Sequence, residues 1–297
     1  MSSINSFFTS ANASLYVDTL FSAAKPSNPS FSSSSASGPR MPYGVDENGQ
    51  TAGQRALSRI IDILTLGGDD ASRSADIDEQ IGYVTGGTGT EGDDKLTVTG
   101  RGIYNLDTGE GNDTLTLKSA LISGVTTGNG DDTIKAAGSF IGSIDGGDGN
   151  DDIQLKAELA LDIKGGAGDD TLKVSADTIV GLDGGEGNDS LTLEGNRIFA
   201  TGGAGNDTVR ITTSGTDALA EYGFTTGGGK DTVTSNGPLS LSLGGLSEAD
   251  LAISVKDGTL TAAINGSGDT ISVTIDEASS LTYSFTVKNG QTMLSIR

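Results

Sequence analysis

Aspartate recurs at a fixed interval through the middle of the chain: Asp94, Asp113, Asp132, Asp151, Asp170, Asp189, Asp207 and Asp231. The separations are 19 residues five times in succession, then 18 and 24. Each aspartate closes a segment of the form Gly/Thr-Gly-x-Gly-(Asp/Asn)-Asp-x-(Leu/Ile/Val), with small variations. Six of these segments carry the glycine pairs Gly109 and Gly111, Gly128 and Gly130, Gly147 and Gly149, Gly166 and Gly168, Gly185 and Gly187, and Gly203 and Gly205. A turn that aims its carbonyls at one point needs backbone angles with φ > 0, which Gly adopts freely and Asn or Asp tolerates. Carbonyl oxygens plus a carboxylate form a hard-oxygen ligand set, which calcium takes in numbers of 6–8 at ~2.3–2.6 Å. A metal-free solenoid in which the aspartates only shape turns is the competing reading. Free turn chemistry would let Asp give way to Ser or Asn, yet the closing position is Asp in all eight copies.

Composition narrows the chemistry further. The chain of 297 residues has 46 Gly and no His, Cys or Trp. Disulfides, thiolate nucleophiles, Cys/His zinc sites and His-based catalytic triads are therefore excluded. Forty Asp and Glu against 18 Lys and Arg give a net charge of −22, which disfavours a nucleic-acid partner. A hydrophobic share of 34% points to a thin, repetitive core rather than a thick central one. No apolar run is long enough to span a bilayer. The first residues do not form a Sec-type signal, because no Lys or Arg precedes Lys25 and polar residues interrupt the apolar ones.

The elements that must position these aspartates follow from the same period. After each glycine segment comes an alternating strand, such as Leu115/Leu117, Ile153/Leu155 or Leu172/Val174. A short polar turn follows, and a second strand returns on Leu106, Val125, Ile144, Ile163 or Leu182, each twelve residues after its Asp. Alternation at period two turns these side chains inward on one face. Two short strands per coil, stacked coil on coil, predict an all-β, right-handed parallel β-roll or β-solenoid over 85–235, with 19-residue coils and neighbours about 4.8 Å apart. Residues 1–50, rich in Ser, Asn and Pro, read as a disordered tail. Residues 51–84 form a linker with a short amphipathic helix over 52–66, a lid on the first coil or a contact for a membrane or chaperone. Residues 236–297 read as antiparallel hairpins that cap the last coil.

The segment Gly184-Gly185-Glu186-Gly187-Asn188-Asp189-Ser190-Leu191-Thr192 matches G-G-x-G-x-D-x-U-x at each position, as do 146–154, 165–173 and 202–210. These repeats resemble those of the repeats-in-toxin (RTX) calcium-binding β-roll family. The resemblance implies that each ion is shared between successive loops, with glycine carbonyls and closing aspartates contributing from both coils. Eight loops then enclose up to roughly seven calcium ions. The second turn of every coil lacks the motif, so the ions are expected along one edge only. At the last loop Lys230 precedes Asp231, a departure that weakens that position as a calcium site.

Stacked carboxylates at the strand spacing repel by ~1 kcal/mol in water and ~3–4 kcal/mol at an effective dielectric of 20. Asp93, Asp131 and Asp169, with Asp107, Asp145 and Asp183, add charge to the same region. A chain with so thin a core is expected to be largely unfolded without calcium and ordered with it. The stretch 245–269 also resembles the module that ends many RTX proteins, which implies type I secretion. The Ser/Asn-rich start, on a Gly-rich, Cys-free, acidic chain, resembles type III secreted proteins, including harpins. The expected function is a secreted, extracellular, non-enzymatic calcium-binding protein. A calcium-dependent adhesin or surface-layer component, bridged to polysaccharide or to itself, and a membrane-active effector are the alternatives.

Overall fold

The computed structural model describes residues 75–76 and 81–297, apart from 216, 277, 279 and 289. The expected disordered tail at 1–50 and the amphipathic helix at 52–66 lie outside the described residues. The described chain is an all-β solenoid of parallel coils, followed by antiparallel strands at its C-terminal end.

Alternation of apolar and polar residues sets the register, because a slip of one residue would turn every core side chain to solvent. One inward column runs Leu96, Leu115, Ile134, Ile153, Leu172, Leu191, Val209 and Val233, each paired in register with the next. A facing column runs Leu106, Val125, Ile144, Ile163, Leu182 and Ala200. Both columns are buried, so the core is about two side chains thick and continuous from coil to coil. Each coil rests on its neighbours, which makes stability a sum over adjacent pairs.

The expected polar turn between the two strands is not a separate loop in four of the eight coils. Lys95–Asp107, Thr114–Asn129, Asp152–Ala167 and Thr171–Glu186 each run as one strand around it. A left-handed residue in each of six successive coils helps the return strand to bend: Gly86, Asn105, Gly124, Ser143, Asp162 and Gly181, 19 residues apart, have φ between +52° and +70°. The next coil has none, and its register shifts between Phe199 and Ala200. The 18-residue interval between Asp189 and Asp207 is thus the loss of this one bend residue. The 24-residue interval is taken up by a longer second turn before Leu219 and by the turn at 225–229.

The C-terminal end departs from a purely antiparallel cap. Leu251–Lys256 pairs antiparallel with Thr259–Ile264, and that strand with Thr270–Ile275. Yet Thr270–Ile275 lies parallel to Lys230–Ser235, with Val233 opposite Val273. The cap therefore adds one more rung to the roll before it turns away, and so covers an edge that would otherwise be open to another chain. Leu239–Ser242 pairs with Gln291–Ile296 on the facing side. Among the described residues no helix is long and apolar enough to cross a membrane.

Candidate metal centre

The glycine segments stack along one edge of the roll. All twelve glycines of the six pairs named above take φ between +97° and +141°, a region an L-residue enters only with strain. Close approach also requires them: a Cβ on Gly147 or Gly166 would collide with the carbonyl oxygen of Gly128 or Gly147 in the preceding coil.

The structure brings all eight aspartates into one column, and seven of them, Asp113 to Asp231, are at most 4% exposed. Oδ1 of each carboxylate from Asp113 to Asp231 accepts the main-chain N–H of the equivalent aspartate one coil earlier, at 2.6–3.2 Å. This thread of N–H donors, which the sequence reading missed, offsets part of the repulsion expected between stacked charges. A second thread runs the opposite way at the exposed position just before. Asp93, Asn112, Asp131, Asn150, Asp169, Asn188 and Asn206 each accept the N–H of the next coil through Oδ1. Asp and Asn alternate there from Asp93 to Asn188, so no two charges of that thread lie in adjacent coils.

The other carboxylate oxygen behaves differently. Oδ2 of Asp113, Asp132, Asp151, Asp170, Asp189 and Asp207 is buried with no hydrogen-bond partner, and these make up six of the eight such side-chain atoms among the described residues. At the two ends of the column the same atom is satisfied. Thr90 donates its N–H and hydroxyl to Oδ2 of Asp94 at 2.8 and 3.1 Å. Tyr222, fully buried, donates its hydroxyl to Oδ2 of Asp231 and accepts the Gly202 N–H, each at 3.0 Å. Tyr222 occupies the register of Ala200 in the facing column, and its hydroxyl lies at the glycine edge, beside Gly202 on the neighbouring strand.

An unpartnered buried carboxylate oxygen is costly, and a proton or a cation would relieve that cost at each of the six. The space beside them is left by glycine. A Cβ on Gly146 would fall on both Oδ2 of Asp151 and the carbonyl oxygen of Gly165. The same cradle, one carboxylate and one carbonyl from the next coil, recurs at Gly165 with Asp170 and Gly184, and at Gly184 with Asp189 and Gly202. At Gly202 the Tyr222 hydroxyl stands where the next carbonyl would be. Thr108 and Thr127 replace glycine in two coils, and their hydroxyls donate to the carbonyls of Thr127 and Gly146 at 3.2 and 2.7 Å. From there they also lie near the Asp113 and Asp132 carboxylates, which they partly stabilise in the charged form. Carboxylates of three or more acidic side chains do not converge on one point among the described residues. An ion here would draw on main-chain oxygens for most of its ligands, which suits a hard cation.

Electrostatics mark the same atoms. Burial pushes Asp113, Asp151 and Asp189 up to about 6 and Asp170 up to about 7, with neighbouring aspartates adding to it. Burial likewise raises Asp132 and Asp207, and lifts Asp231 to about 7. The charges of Asp131, Asp145, Asp169 and Asp183 reach this column as the sequence reading expected. Asp145 and Asp183, however, sit on the outer face of the return strand, in register with Lys164 between them. No protein-family model matches the chain, and no curated protein matches its sequence.

Proposed function

We propose that this chain is a calcium-binding β-roll similar to those of the RTX family, and that ion binding along one edge drives its folding. The observation that carries the reading is the run of six buried Oδ2 atoms without partners, each beside a glycine or threonine corner. Calcium would be held by Oδ2 of Asp113, Asp132, Asp151, Asp170, Asp189 and Asp207, together with main-chain carbonyls of the glycine segments. It would supply the positive charge that these buried carboxylates lack. Asp94 and Asp231 belong to the column but already have donors, so the row narrows from the seven ions expected of eight loops to about six, one for each open oxygen.

Folding on an ion has a direct functional sense for an exported chain. It remains extended where calcium is scarce and winds up outside the cell, where calcium is abundant, because binding energy becomes folding energy. The chain lacks the His and Cys that serve most catalytic bases and thiol nucleophiles, and the role proposed is binding rather than catalysis. Secretion rests on the resemblance of the repeats and of the C-terminal module.

Equilibrium dialysis of the full chain against calcium tests the stoichiometry. About six ions per chain at saturation, with magnesium displacing few of them, is the expected result. A count near zero, with the roll folded, would mean that the aspartates build the turns without an ion.

A further inference from the structure

The outer face of the first strand in each coil is chemically unlike the acidic edge. Lys118, Lys135, Lys156 and Lys173 stand there, one in each of four successive coils, all exposed. Ala137 pairs with both Lys118 and Lys156, and Gln154 with both Lys135 and Lys173. The lysines therefore follow two tracks, two residues apart along the strands. Lysines of one track repeat every two coils, about 9.6 Å, and the other track is offset by half of that. Among the described residues none of the four side chains has an ion-pair or hydrogen-bond partner.

These lysines line a shallow hollow of about 450 Å³, with Thr116, Gln154, Ser175 and Thr192 between them. Asp152 lies close by on the same strand face, and both of its oxygens accept the Gln154 side-chain N–H, at 3.1 and 3.0 Å. Glu194 stands at one rim. In a chain of net charge −22, four adjacent unpaired cations form a local field of opposite sign, able to orient an anionic partner.

We propose that this face binds a linear carboxylated polysaccharide, a polymer of uronic acid sugars, lying along the axis of the roll. A 1,4-linked chain whose alternate sugars turn over presents carboxylates on alternate sides, which matches a zigzag of point charges on flexible stems. The hydroxyls and amide between the lysines supply hydrogen bonds for sugar hydroxyls. No aromatic side chain lines the hollow, so it lacks the stacking platforms used for single-stranded nucleic acid. Nor does it offer the apolar anchors by which a peripheral protein enters a lipid surface.

The test uses the full chain in saturating calcium, with ellipticity confirming the fold, so that failure of calcium-driven folding is seen separately. The probe is an oligomannuronate too short to gel, followed by calorimetry. Binding that weakens steeply with salt is expected, and a loss of about tenfold or more in the variant with Lys118, Lys135, Lys156 and Lys173 all changed to Gln. Lys135→Gln and Lys156→Gln alone should each give a smaller loss at unchanged fold. Equal affinity for a neutral mannan oligomer, or undiminished binding by the fourfold variant, would overturn the proposal. Tighter binding of oligothymidylate or of anionic phospholipid vesicles than of the uronate would overturn it as well.

Discussion

Asp170→Asn should stabilise the metal-free roll and weaken the calcium-loaded one. Asn keeps an Oδ1 that accepts the Asp151 N–H, so the thread along the column survives. Its amide nitrogen replaces an Oδ2 that is buried, unpartnered and placed beside the Gly184 carbonyl, where an N–H is a better neighbour than a second oxygen. One negative charge also leaves a line of like charges. The calcium midpoint should rise about tenfold or more, because affinity follows the number of charged ligands. Metal-free protein folded with an osmolyte should need less of it, or melt higher by about 2–4 °C for each kcal/mol of repulsion relieved. Asp170→Ala removes the N–H acceptor as well and should lower stability in both states. If Asn and Ala behave alike, Oδ2 has no special role.

The second large effect is an inversion with pH. In the metal-free roll the carboxylates of the column titrate well above the usual 3.8, at about 6 for Asp113, Asp151 and Asp189 and about 7 for Asp170. A folded-state pKa above the unfolded one means that the protonated form is favoured by folding. The stability it contributes is fully present below about 3.8 and is lost as pH rises through 6 to 7. Metal-stripped protein should thus be most ordered in mild acid and lose structure toward pH 8. Calcium-loaded protein should do the reverse, since protons compete with the ion for the same oxygens. Chemical denaturation at pH 5 and pH 8, in metal-depleted buffer and in millimolar calcium, separates the two. Parallel trends in both buffers would contradict the assignment of Oδ2 as the ion's ligand.

Much of this architecture was legible because the period writes it out. Five identical intervals between aspartates fix the coil, and alternation of Leu, Ile and Val fixes which face turns inward. What escaped the sequence reading depends on contacts across the coil or between distant segments. Tyr222 reads as one more apolar residue of a return strand, and nothing in the spacing says that its hydroxyl meets Asp231 nine residues on. The parallel docking of Thr270–Ile275 is hidden because its alternation is equally that of a hairpin strand. The irregular intervals were visible, but their cause was not: the loss of a bend residue needs the φ of Gly181 and its five predecessors to be recognised. The opposed threads of Asp and Asn were half visible in the (Asp/Asn)-Asp pair, whose first member alternates from coil to coil. The lysine zigzag had a signal too, in separations of 17, 21 and 17 residues that sum over two coils to 38.

The cradle at Gly146, Gly165 and Gly184 and the capped ends at Thr90 and Tyr222 limit the open Oδ2 atoms to a row of finite length. Thin cores give little surplus stability, so under the proposed function the buried charge and its counter-ion should decide whether the coils hold together. Far-UV circular dichroism of the full chain, stripped of metal and then titrated with calcium at pH 7.5, addresses this most directly. Coil-like ellipticity in the stripped sample, giving way to a β spectrum in one cooperative transition as calcium is added, is the outcome expected. A full β spectrum in the stripped sample, unchanged by calcium, would contradict the account.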